Sequence, residues 1–132
     1  MKKELKALIK KIKTSYPFLE GITIDVVDYG TTHFDAAQNS IILSTDHAKD
    51  LFETPRFTKR LGKIKSLYDF TVTILLHEIY HVHQNNNVEP EKLKKALLKI
   101  QDGDEKSHDK SWIERDADRW AKKEAKKWLS KS

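Results

Sequence analysis

Five consecutive residues, His77-Glu78-Ile79-Tyr80-His81, place two imidazoles four positions apart with a carboxylate between them. On a helix turning about 100° per residue, His77 and His81 fall roughly 40° apart on one face. Two neutral nitrogens one turn apart can converge on a single tetrahedral ion, and Zn²⁺ is the usual one for such donors. Glu78 projects too far round to join them as a ligand and is placed to act on water beside the ion. The surrounding run from Phe70 to His83 supplies the helix. Ser66, with Asp69 three residues on, resembles a capping box. Val72, Leu75, Leu76, Ile79 and Val82 gather on the side away from the histidines, so this helix is expected to be buried on both sides and to floor a cleft.

Two histidines do not complete a zinc site. With no cysteine in the chain, the third ligand must be His, Asp or Glu. The segment from Trp112 to Ala121 offers Glu114 and, one turn later, Asp118. Taking Glu114 as the origin of a helical wheel, Ala117, Ala121, Ala125 and Trp128 lie within roughly 60° of it and Asp118 at roughly 40°. Arg115, Arg119, Lys122, Lys123 and Lys126 occupy the opposite side. Both carboxylates therefore sit in a small-residue, inward face, where an unpartnered charge would be very costly. Ser111-x-x-Glu114 also fits a capping box, which would make Glu114 a cap partner. The wheel favours Glu114 as the third ligand and Asp118 as the acceptor for the far nitrogen of a ligand imidazole.

H-E-x-x-H followed by E-x-x-x-D on a later helix resembles the gluzincin-type zinc metallopeptidases. The run Glu114-Arg-Asp-Ala117-Asp118-Arg-Trp-Ala121 is similar to a segment of the ImmA/IrrE-like metallopeptidases. The residue before the second histidine, usually glycine there, is Tyr80. The resemblance implies a compact α+β zincin-like domain, with a small sheet, an active-site helix and a C-terminal Glu helix. It also implies a zinc-dependent endopeptidase acting on a protein or peptide, in some relatives a regulator. In that chemistry the metal lowers the pKa of a water and Glu78 takes its proton. The donor to the oxyanion is left open among Tyr80, His108 and His33. Two other readings stand beside this one: a zinc-binding regulator of the same fold with little turnover, and a nucleic-acid-associated protein.

The positioning elements come from periodicity. Residues 2–14 carry Leu5, Leu8, Ile9 and Ile12 as one helical stripe amid lysines, ended by Tyr16-Pro17. Strands are expected over 22–27, 33–37 and 40–43. A hairpin at Gln38-Asn39 makes the sheet antiparallel, and Ile41-Leu43 is offered to an extended substrate. Thr45 is expected to cap a short helix through about Phe52 that Thr54-Pro55 breaks, with 55–65 a basic loop. Asn85-Asn86-Asn87 should stop the metal helix. Pro90 opens another that Gly103 closes, with a polar loop over 102–110 and a final helix over about 111–130. His33 and His47 stand alone and are not expected to be ligands.

At 132 residues the chain reads as a single domain over 1–132, a monomer with enough length for a real core. The absence of an 18-residue apolar stretch and of a secretory core points to a cytoplasmic protein without a membrane partner. Its net charge of +5 fits solvated lysine faces better than a nucleic-acid footprint.

Overall fold

The computed structural model describes residues 1–62, 64–102 and 111–129. The chain is α+β. Helix α1 (Lys2–Ser15) leads through a 3₁₀ turn at Pro17–Leu19 into strands β1 (Thr23–Val27), β2 (His33–Asp35) and β3 (Ser40–Ser44). Then come α2 (Thr45–Phe52), α3 (Pro55–Leu61), α4 (Leu67–Asn87), α5 (Pro90–Asp102) and α6 (Trp112–Leu129).

The sheet differs from the antiparallel one expected. Its order is β1-β3-β2, with β3 antiparallel to β2 but parallel to β1. The β2–β3 hairpin is real: the Asp35 carboxylate accepts from the amides of Ala37 and Gln38 at 3.0 and 3.2 Å, and Asn39 takes a left-handed φ of 49°. Strand β1 then joins the other side of β3, which carries Ile41 and Leu43 fully buried and is the most deeply buried of the three. Period-two patterning assigns faces, not partners, so this order lies beyond its reach. Because β3 is central, it cannot receive a substrate strand. The free edges belong to β1 and β2.

Ser66 caps α4, its Oγ accepting from the Asp69 amide at 3.1 Å. The helix begins directly after this cap and runs through the asparagines expected to stop it. The Asn87 amide group donates to the His83 carbonyl at 2.8 Å, and Val88 closes the helix onto Gln84. Val72, Leu75, Leu76, Ile79 and Val82 are buried against α1, the sheet and α6, while Phe70 is buried in a second cluster with residues of α2 and α3. Full burial of each such side chain stabilises by about 1.5–3 kcal/mol, which makes α4 the axis of the fold. Ala117, Ala121 and Ala125 let α6 approach it closely.

Two further differences bear on the site. Ser44, not Thr45, caps α2, its Oγ accepting from the His47 amide at 3.2 Å. Residues 55–61 form α3 where a loop was expected. Pro55 ends α2's segment but opens the next helix at its first position, and Gly62, with φ 86°, terminates it. The N-terminal segment is tied to α6 by a small network. Trp128 Nε1 donates to the Tyr16 hydroxyl at 2.9 Å, and that hydroxyl donates to Glu124 at 2.7 Å. Burial first, reinforced by Glu124, pushes the Tyr16 pKa up to about 12.

Candidate metal centre

Helix α4 carries His77 and His81 on one face, and their rings stand edge-to-face with centroids 4.7 Å apart. Helix α6 brings Glu114 across from them. Its Oε2 lies 2.8 Å from His77 Nε2, and its Oε1 lies 3.2 Å from His81 Nε2. The two Nε2 atoms are 3.1 Å apart. Asp118, one turn further along α6, holds His77 from behind, with Oδ1 2.8 Å from Nδ1. The expected ligand set and the expected role of Asp118 are thus brought together in one cluster.

The outer contacts determine which nitrogens face inward. Asp118 is an acceptor, so His77 Nδ1 carries a proton. His81 Nδ1 faces Gln84 Oε1 at 2.8 Å, and the Gln84 amide nitrogen donates to the Ile113 carbonyl at 3.0 Å. That second bond fixes the amide's orientation, so His81 Nδ1 is also a donor. Both Nε2 atoms of the neutral rings therefore present lone pairs to each other and to a carboxylate. Such a group can be held by a cation at its centre. Tetrahedral bonds of about 2.0–2.1 Å set donors about 3.3 Å apart, a few tenths of an ångström beyond the separations here. The donor set, two imidazoles and a carboxylate, could hold a metal ion.

Protons can fill the same role. Burial alone would drive both imidazoles toward the neutral form, but Asp118 and Glu114 push the His77 pKa up to about 10, and Glu114 pushes His81 up. Burial likewise opposes ionisation of Glu114, and the two histidines reverse it and hold its carboxyl well below the usual range. Asp118 is lowered against its burial by His77 and by Arg60. An arriving ion displaces protons from this cluster.

In the sequence Arg60 carries no signal beyond its place in a basic stretch. From the end of α3 its guanidinium grips Asp118 with Nε at 3.0 Å and Nη2 at 3.1 Å, and Nη2 lies 3.5 Å from Glu114. This bidentate grip fixes the plane of Asp118 and so the ring it holds. Arg56 packs over Phe57 at 4.4 Å, while Lys59 and Lys65 are exposed. The basic patch expected over 56–65 is therefore divided, with Arg60 turned inward. Gln84 was also missed as a site residue, although its position three residues after His81 is a spacing at which helix side chains meet.

Beside the cluster lies a cleft of about 230 Å³, lined in part by Thr32, His47, Phe57, Arg60, His77 and Glu78. Glu78 thus faces the same space as His77. Tyr80 is not among the lining residues: it stacks on Trp120 and His83, with centroids 5.3 Å apart in each case. His33 is exposed on β2 with Nδ1 2.9 Å from the Thr31 carbonyl oxygen, and it does not line the cleft either. His108 lies outside the described residues.

Asp118→Asn is expected to weaken zinc binding about ten- to a hundredfold, as loss of a carboxylate behind a ligand imidazole does. Competition against a chelating dye measures this. An unchanged affinity would make the His77–Asp118 contact a purely structural one. No helix among the described residues is long and apolar enough to cross a membrane. No family model, curated protein or solved structure matches the chain.

Proposed function

We propose that the chain is a zinc-dependent endopeptidase of the zincin type, with the ion held by His77, His81 and Glu114. The observation that carries this reading is the convergence of three donor side chains from α4 and α6 beside a cleft that Glu78 also lines. A bound zinc supplies Lewis acidity toward a carbonyl and lowers the pKa of water. The chain's own residues do the rest. Glu78 takes the proton from the attacking water and returns it to the leaving amine as the C–N bond breaks. Asp118 and Gln84 hold the two imidazoles in register, and Arg60 holds Asp118. Histidines locked in this way lose little freedom when an ion arrives.

At about 230 Å³ the cleft lies below the usual ligand-pocket range of about 300–1,000 Å³ and admits a short piece of extended chain, not a folded domain. Strand β2 offers the nearest free edge, since Thr32, immediately before it, lines the cleft. Backbone pairing along that edge would present an exposed loop or linker of a protein substrate. The protein should accordingly be selective, with weak activity on short generic peptides.

Metal analysis and metal removal test this reading together. Purified protein is expected to carry one zinc per chain by mass spectrometry. It should cut at least one bond in a proteome-derived peptide library or in the proteins of a cell lysate. A chelator should abolish that cleavage and added zinc restore it. Bound zinc without any cleavage would instead favour the regulator reading, in which the ion serves the fold.

A further inference from the structure

Hydrolysis of a peptide bond leaves negative charge on the carbonyl oxygen in the transition state. A preorganised donor aimed at that oxygen is one of the largest contributions a site can make. Arg60 lines the cleft, but its Nε and Nη2 are engaged by Asp118 and Glu114. The Thr32 hydroxyl accepts from the Ser44 amide at 2.9 Å and lies 3.4 Å from the Ser44 carbonyl oxygen. His47 remains. It stands in the first turn of α2 and lines the cleft together with His77, Glu78 and Glu114.

The surroundings of His47 fix what its ring can do. The backbone amide of Thr32 donates to His47 Nδ1 at 2.8 Å, which requires a lone pair there. The neutral ring therefore carries its one proton on Nε2, and among the described residues no group meets that nitrogen. Its backbone is anchored as well: the His47 amide donates to Ser44 Oγ at 3.2 Å, and Ser44 is tied to Thr32. The ring is thus braced through Nδ1 and through its own main chain. A neutral imidazole N–H so placed is a competent electrophile for a developing oxyanion.

We propose that His47 is the oxyanion donor of this site, its Nε2–H bonding the carbonyl oxygen as Glu78 delivers the water. This inference rests on the peptidase reading above. In the step, water oxygen bonds to the carbonyl carbon, its proton passes to Glu78, and the carbonyl π pair moves onto the oxygen that His47 meets. Collapse returns that pair, breaks the C–N bond and sends the Glu78 proton to the amine.

Asparagine separates this role from a structural one, because its Oδ1 can replace Nδ1 as the acceptor for Thr32 while the side chain ends short of Nε2. The probe is a fluorogenic peptide spanning the bond that zinc-loaded wild type cuts fastest in the library. His47→Asn is expected to lower kcat about 10²–10³-fold, with KM, zinc affinity and melting temperature kept. Binding of methylphosphonate, a tetrahedral oxyanion, to the zinc-loaded protein should weaken about tenfold by calorimetry, on the order of one lost hydrogen bond. His47→Gln, whose amide reaches toward the Nε2 position, should recover most of kcat. Wild-type kcat in the Asn variant overturns the proposal while leaving the peptidase reading intact. So does an equal loss in both variants, or loss of zinc and stability along with kcat. A wild type that cuts nothing overturns both.

Discussion

Glu78→Gln is expected to bind zinc as the wild type does, to melt at nearly the same temperature, and to lose hydrolysis about 10²–10⁴-fold, the usual span for a general base. The separation of these three readouts comes from position. Glu78 lies roughly 100° around α4 from His77, outside the ligand set, and lines the cleft rather than the core. The amide is nearly isosteric with the carboxylate, so packing is kept. What disappears is the ability to accept a proton from water and pass it to the amine. The library-derived peptide gives kcat, mass spectrometry the metal, and calorimetry the melting temperature. Hydrolysis at the wild-type rate in this variant would remove Glu78 from the mechanism. Loss of zinc with the activity would make it a ligand.

The second large effect is expected at Arg60, on stability rather than on chemistry. Its guanidinium is mostly buried, as are the carboxylates of Asp118 and Glu114. Removing one partner of a buried ion pair leaves the other charge desolvated, which typically costs about 3–5 kcal/mol. Arg60→Ala in the zinc-free protein should therefore unfold at markedly lower denaturant than wild type with an unchanged m-value. Excess zinc should return part of the loss, because an ion bound only by the folded chain stabilises by mass action. Arg60→Lys should recover little of it, since an ammonium cannot reproduce the two-pronged grip. A change below about 1 kcal/mol in the alanine variant, the range of solvent-exposed pairs, would show the pair to be screened by solvent despite its burial.

Much of the site was legible because its parts sit on two helices, each with its own period. His77 and His81 share a face by spacing alone. Glu114 and Asp118 announce themselves as carboxylates on a face otherwise built of alanine and tryptophan. Arg60 carries no such signal. It lies in a stretch with Arg56, Lys59 and Lys65, and nothing local distinguishes a guanidinium turned toward a helix 58 positions on from one turned toward water. His47 reads as a lone histidine for a similar reason. Its meaning comes from the Thr32 amide and from the cleft, both assembled by tertiary packing. The α+β class and most helix limits emerged from apolar stripes and caps. The parallel pairing of β1 with β3 did not, because alternation along a strand is indifferent to which neighbour supplies the hydrogen bonds. Pro55 misled in one direction only: it terminates α2's segment, as expected, and in the same place starts α3.

The division of the site between α4 and α6 sets an order of events during synthesis. The two histidines leave the ribosome well before Glu114 and Asp118, and α5 is made in between. A nascent chain that has folded only as far as α4 holds an imidazole pair with neither its third ligand nor the carboxylate that orients His77. On the proposed function, hydrolytic competence then arrives only when α6 docks on its alanine face, the step that also buries Ala121 and Ala125.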